Sequence, residues 1–97
     1  MLDEIIDAIN NRNVITFDYD GCQRIVEPHT VGVSTTGKDS LSTFQIGGQS
    51  NTIAIPDWGR FSLNKIQNLN VLGDLFQGVR PRNKKGDSRM THIYAEL

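Results

Sequence analysis

The spacing of the apolar residues changes once along this chain, and that change limits the fold to one helix followed by strands. Leu2, Ile5, Ile6 and Ile9 recur every three or four residues, which places them on one face of an amphipathic helix. We predict that this helix ends near Arg12, because the asparagines around it favour turns over helices. From residue 14 onward the apolar residues alternate, and alternation is the period of a half-buried strand.

The rest of the chain contains short extended stretches separated by turn residues. The dipeptide Asp20-Gly21 predicts a hairpin between the first two strands. We expect Pro28 to end ladder pairing or to lie at an edge, since proline has no N–H to donate. The predicted extended stretches are residues 14–19, 23–26, 31–33, 41–46 and 58–63. Residues 67–72 are predicted as a short strand or a turn, and residues 90–97 as a final strand or a frayed end. One helix followed by five or more strands makes an α+β domain.

The length of 97 residues predicts a single domain with a small core. No apolar run approaches the roughly 18 residues that a membrane-spanning helix needs. Cys22 is the only cysteine, which excludes an internal disulfide. The chain starts with M-L-D-E rather than with basic and then apolar residues, so no leader is indicated. We therefore expect a soluble, cytoplasmic protein.

The net charge of −1 conceals an uneven distribution of charge along the chain. Residues 1–59 carry eight acidic side chains and three basic ones, a balance of −5. Residues 60–89 carry seven basic and two acidic side chains, a balance of +5. This asymmetry predicts a basic surface suited to an anionic partner. The alternative is an ordinary solvated surface, since most lysines and arginines are exposed in any protein.

Three segments together resemble the WYL domain family. Residues 15–19 (I-T-F-D-Y) are similar to the family's opening strand I-x-F-x-Y, and residues 24–28 (R-I-V-E-P) match its return strand R-x-V-x-P. Residues 61–66 (F-S-L-N-K-I) are similar to F-x-L-x-R-I, with lysine in place of arginine. Residues 39–41 (D-S-L) stand where the family has Trp-Tyr-Leu, so only the leucine of that tripeptide is shared.

The resemblance implies an N-terminal helix followed by a small Sm-like β-barrel of about five strands. On this basis we assign residues 2–72 to the WYL-like domain, and residues 73–97 to a basic C-terminal extension with an edge strand. WYL domains act as ligand-sensing or nucleic-acid-contacting modules in bacterial regulators. The resemblance thus implies a regulatory module of bacterial or phage origin that binds a nucleotide, a signalling oligonucleotide or single-stranded nucleic acid.

Four residues are the candidates for binding that ligand. Arg24 and Lys65 match basic positions of the family motifs, and Arg60 precedes Phe61. Guanidinium groups bind phosphate oxygens through two hydrogen bonds, whereas lysine supplies a point charge. Trp58 is the candidate for stacking on a base. An equal alternative is that Trp58 caps the core with its N–H on a carbonyl oxygen.

A basic segment near the C-terminus is the candidate for an arm that contacts nucleic acid. Its basic residues are Arg80, Arg82, Lys84 and Lys85. Four such groups neutralise phosphates and make affinity depend steeply on salt. The alternative is a solvated linker, and the overall sequence pI near 6.0 argues against a dedicated nucleic-acid binder.

Catalysis and metal binding have little support in the sequence. Cys22 with His29 or His92 is the only Cys/His combination, and none of these residues has the spacing of a metal site. We therefore predict no enzyme activity, no cofactor and no metal. The alternative function is a protein-interaction or homo-oligomerisation module, in which residues 90–97 add a strand to a neighbouring sheet.

Overall fold

The computed structural model describes residues 1–50, 54–83, 86 and 88–97. Helix α1 (Leu2–Asn11) buries Ile5 and Ile9 of the predicted apolar face, together with Ala8. The helix ends as predicted at Arg12, whose left-handed backbone lets its N–H reach the carbonyl oxygens of the last turn.

In the described ranges, six strands follow α1. They are β1 (Asn13–Tyr19), β2 (Cys22–Ser34), β3 (Asp39–Gly48), β4 (Asp57–Ser62), β5 (Gln67–Leu75) and β6 (Met90–Glu96), with a 3-10 turn at Leu63–Lys65 between β4 and β5. The predicted α+β class is confirmed, as is the hairpin at Asp20-Gly21, which joins β1 to β2.

Strand β2 does not end at Pro28, so the first of the two outcomes expected for this proline is wrong. The strand spans 13 residues in all and continues past Pro28 to Ser34, with a shift in the register of the β2–β3 ladder between Pro28 and Thr30. The bulge lies next to Pro28, and interrupted pairing of this kind is one of the places where a sheet tolerates proline. The residue inside the bulge is His29, whose side chain is completely buried.

The length of β2 organises the sheet. One edge of β2 pairs with β3, while the other pairs first with β1 and then, from Thr30 to Ser34, with β6. At the crossing with β6, a Cβ atom on Gly32 would collide with the backbone of His92, so glycine allows this close approach.

The sheet is open, and the predicted closed barrel of about five strands is wrong. The strand order is β4-β3-β2-β1-β5, with β6 beside β2. Within the described ranges, β4 and β5 form no ladder with each other. The chain passes from one to the other through the turn Leu63–Lys65, and β5 pairs with the outer edge of β1 instead.

The core lies between α1 and the inner face of the sheet. Its members are the buried aliphatic and aromatic residues Ile5, Ala8, Ile9, Ile15, Phe17, Val26, Val31, Leu41, Phe61, Leu63 and Ile66. In the described part of the chain, no helix has the length and apolar character needed to cross a membrane.

The C-terminal quarter of the chain belongs to the same sheet. β5 runs past residue 72 to Leu75, and the extra C-terminal strand that the sequence predicts is present as β6. The boundary proposed at residue 72 therefore falls inside a strand, and the segment from 76 to 82 crosses back over the sheet towards β4.

Candidate functional site

A cleft of about 410 Å³ lies beside the outer strand β4. Its walls are formed by Ser42 of β3, by residues of β4, and by two short pieces of chain, residues 82–83 and 88–89. The lining residues are Ser42, Trp58, Gly59, Arg60, Arg82, Asn83, Ser88 and Arg89.

Three arginines from distant parts of the sequence line this cleft. Arg60 belongs to β4 and Arg82 to the segment that crosses the sheet, while Arg89 directly precedes β6. The protein as a whole has a net charge of −1, so three guanidinium groups in one cleft make a local positive potential that the total charge conceals.

Among the residues that the structure describes, the acidic side chain of Asp57 lies beside the cleft. The carboxylate of Asp57 accepts a hydrogen bond from the guanidinium of Arg82 at 3.1 Å and another from the Trp58 backbone N–H at 2.7 Å. Both partners of the Arg82–Asp57 ion pair are well exposed. Exposed pairs are worth about 1 kcal/mol or less, so a phosphate can replace Asp57 on Arg82 at little cost.

Trp58 forms a fixed wall of the cleft. Its indole Nε1–H donates to the carbonyl oxygen of Pro81 at 2.9 Å. The ring meets His29 and Phe44 edge to face, with centroids 4.8 and 5.6 Å away. Trp58 also belongs to the lining of the cleft. The hydrogen bond of its N–H to a carbonyl oxygen is the contact that the capping alternative predicted, and stacking on a base stays a prediction.

A second cavity of about 320 Å³ continues from the first. The two share Arg60 and Arg89, which therefore stand between them. The other lining residues of the second cavity are mostly hydroxyl-bearing: Ser34, Thr35, Thr36, Ser40, Phe61 and Ser62. Guanidinium and hydroxyl groups are the side chains that commonly contact phosphate and sugar oxygens.

Arg80 lies outside the cleft, although the sequence grouped it with Arg82. Its guanidinium makes two hydrogen bonds to the buried carboxylate of Glu27, at 2.7 and 2.9 Å. It also lies over the ring of Phe44, 4.9 Å from the centroid. The hydrogen bond to Glu27 raises the pKa of Arg80 above its ordinary value. Arg80 thus attaches the crossing segment to the sheet.

The predicted site residue Arg24 lies in the core. Only 5% of Arg24 is exposed, and its guanidinium donates to the backbone oxygen of Tyr19 at 3.1 Å. The same group lies 5.8 Å from the ring centroid of Tyr19 and 5.5 Å from that of Phe61. The guanidinium of Arg24 therefore packs against aromatic rings. Arg24 does not line the cleft that contains Trp58.

The other predicted basic residues also separate. Lys65 lines a different cleft at the β1–β2 hairpin, together with the acidic residues Asp18 and Asp20. Lys84 and Lys85, predicted as part of the nucleic-acid arm, lie outside the described residues. Of the predicted site residues, the structure brings together Trp58, Arg60 and Arg82.

Sequence reasoning missed five residues that line the cleft: Ser42, Gly59, Asn83, Ser88 and Arg89. Arg89 belongs to the basic stretch of residues 60–89, so its charge was the available signal. The serines and the asparagine carry no pattern that separates them from other surface residues. In the described ranges, no three His, Cys, Asp or Glu side chains come together as a metal site.

Comparison with protein-family models, curated proteins and solved structures found no match to this chain.

Proposed function

We propose that this protein is a non-enzymatic binding module whose arginine cleft holds a phosphate-bearing ligand: a nucleotide, a signalling oligonucleotide or single-stranded nucleic acid. The observation that carries the proposal is the convergence of Arg60, Arg82 and Arg89 beside the indole ring of Trp58. Guanidinium groups recognise phosphate through paired hydrogen bonds, and an aromatic ring beside them offers a stacking surface for a base.

The second cavity favours a ligand with more than one phosphate. Arg60 and Arg89 border both cavities, so an extended anion contacts them while its ends occupy the two sides. The hydroxyl groups of the second cavity supply neutral hydrogen bonds to sugar and phosphate oxygens. A short oligonucleotide uses all of these groups, whereas a mononucleotide uses those of one cavity.

The resemblance to WYL domains supports a regulatory role for this binding. The segments that carry it include β1, the first half of β2, and the end of β4, the strand that supplies Trp58 and Arg60 to the cleft. The family relationship and the regulatory role remain predictions from the sequence.

A titration of the Trp58 fluorescence tests the proposal directly, because Trp58 is the only tryptophan and lines the cleft. The ligands are short single-stranded DNA and RNA and a panel of nucleotides, each at several salt concentrations. We expect a change in emission that saturates with the oligonucleotides and weakens as salt rises, since binding displaces counterions. No saturable response and no co-sedimentation at low salt would contradict the proposed function.

A second candidate function, homo-oligomerisation, has support from the exposed strand β5. β6 already pairs with β2, so the strand that the sequence proposed for this role is engaged within the chain. β5 lies at the end of the sheet and exposes Val71 by 42% and Leu75 by 68%. It has a single charged residue, Asp74, and no lysine or proline to protect the edge against pairing.

We therefore expect Val71→Lys to lower the mass of the protein in solution if the chain self-associates through β5. A lysine on this edge places two positive charges against each other across a symmetric interface. Sedimentation at several protein concentrations measures the mass, and Thr91→Lys on β6 is the matched control. A monomeric parent protein, or a loss of mass in the Thr91 variant alone, would rule out β5 as the interface.

A further inference from the structure

The buried side chain of His29 connects the sheet to the segment that carries Arg82. We call residues 76–82 the latch segment. Its Phe76 ring stacks on the His29 ring with centroids 5.6 Å apart, and its Arg80 backbone N–H donates to His29 Nε2 at 3.1 Å. His29 is completely buried, so these contacts are made away from water.

The hydrogen bonds of His29 define its proton state. Nδ1 lies 2.8 Å from the backbone oxygen of Glu27, which can only accept, so Nδ1 carries the hydrogen. Nε2 faces the backbone N–H of Arg80, which can only donate, so Nε2 presents its lone pair. The latched arrangement therefore needs a neutral ring, because a hydrogen on Nε2 would point at another hydrogen.

The surroundings of the ring oppose its protonation. Burial lowers the pKa of His29 below its ordinary value, the hydrogen bond and charge of Glu27 act in the opposite direction, and Arg80 lowers it further. The Glu27 and Arg80 charges are bound to each other. Among the described residues of the neighbouring segments, Asp57 is paired with Arg82, and Glu96 of β6 accepts a hydrogen bond from the Gly86 N–H.

We propose that His29 is a pH-sensitive latch, whose protonation at Nε2 releases residues 76–82 from the sheet and thereby dismantles the arginine cleft. The latch segment supplies Arg82 to the cleft, and its Pro81 oxygen accepts the indole hydrogen bond that holds Trp58. Release therefore removes one phosphate-binding group and the support of the stacking wall together. This regulation rests on the proposed function, although the latch itself is a property of the protein alone.

The direction of the pH effect follows from proton linkage. The latched state holds fewer protons than the released state, in which a solvated His29 has its ordinary pKa near 6.5. The latched state is therefore fully favoured above that value. It loses stability as the pH falls from about 6.5 towards the lowered pKa of the buried ring, by at most about tenfold in its equilibrium constant per pH unit.

The first test follows the protein alone from pH 8 to pH 5. Two signals report the latch: Trp58 fluorescence, and hydrogen exchange at the Arg80 backbone N–H expressed relative to the intrinsic exchange rate at each pH. The variants are His29→Gln and His92→Gln. Glutamine at position 29 offers an uncharged oxygen to the Arg80 N–H and does not titrate. His92, the other histidine, is exposed on β6 and serves as the control. We expect a transition in the parent and in the His92 variant, and none in the His29 variant.

An unchanged transition in a folded His29→Gln protein would overturn the latch. If that variant does not fold, ¹⁵N spectra of the imidazole in the parent protein decide the matter. We expect Nδ1–H as the neutral form at pH 7.5 and protonation of Nε2 in the same pH range as the rise in Arg80 exchange. A ring that stays neutral while exchange rises, or that protonates without such a rise, would also overturn it.

The second test measures the affinity for a short single-stranded DNA at pH 7.5 and pH 5.5. Its phosphodiester groups keep their charge over this range, so a change in affinity reports the protein. We expect weaker binding at pH 5.5 in the parent and equal binding at both values in His29→Gln. Binding at pH 7.5 without a His29-dependent loss would contradict only the latch. A His29-dependent transition without binding at either pH would contradict only the proposed function.

Discussion

Replacing Arg60 by alanine is expected to weaken binding of a short single-stranded DNA roughly 10- to 100-fold at low salt. Arg60 borders both cavities, so its guanidinium contacts the ligand whichever cavity the ligand fills first. Hydrogen bonds to charged groups contribute about 1.5–3 kcal/mol each, and that range gives the expected loss. The slope of log affinity against log salt should also fall by about 0.7, as one phosphate contact is lost.

Two further variants make this result specific. Lys65→Ala removes a basic residue that the sequence grouped with Arg60 and the structure places in another cleft, so affinity should change by less than about twofold. Arg60→Lys keeps the charge but removes the planar fork, and we expect an intermediate loss. Equal losses for Lys65→Ala and Arg60→Ala would mean that binding responds to total charge, and the cleft would then be the wrong site.

Replacing Phe61 by alanine is expected to lower the free energy of unfolding by about 3–5 kcal/mol, a large share of the 5–15 kcal/mol typical of a small domain. Phe61 is 4% exposed and meets the rings of Phe17 and Tyr19 edge to face, with centroids 5.0 and 4.9 Å away. Its ring also covers the guanidinium of Arg24. Removing the ring leaves a cavity beside a buried charge.

Urea unfolding measures this loss, with Phe44→Ala as the matched control. Phe44 is half-buried on the other face of the sheet, so its removal should cost clearly less. Arg24→Ala extends the test to the site assignment. We expect it to lower stability while the folded protein keeps its affinity for single-stranded DNA. If Arg24→Ala lowered the affinity for single-stranded DNA without lowering the free energy of unfolding, Arg24 would belong to the binding site after all.

Local patterns predicted most of the elements correctly. The apolar spacing of residues 2–9 located the helix, and Asp20-Gly21 located the first hairpin. Pro28 is an exception, because proline predicts an interruption of strand pairing there. The pairing of β2 with β3 continues instead, with a bulge at the adjacent His29. The prediction that the sheet closes into a barrel came from the family resemblance, and it is wrong. Closure depends on whether strands far apart in the sequence pair at their edges, which local patterns do not indicate.

The candidate site was only partly predictable. Trp58 and Arg60 are two residues apart on β4, and side chains two apart in a strand lie on the same face of the sheet. Arg82 and Arg89 come from opposite sides of the chain around residue 86, and no local pattern relates them to β4. Arg24 shares a positive charge with Arg60, but charge does not distinguish a group stacked on core aromatics from one in a cleft.

The sequence by itself determined the helix, the hairpin, most of the strands and the accumulation of positive charge after residue 60. These follow from periodicity, turn chemistry and composition, which act over a few residues. Only the tertiary structure decided that the sheet stays open and that Arg80 and Arg82 bind different carboxylates. It also decided that His29 accepts a hydrogen bond from the Arg80 backbone N–H of the latch segment, 51 residues away in the sequence. Such contacts depend on which strands become neighbours and which groups lose water, and both are properties of the whole packed chain.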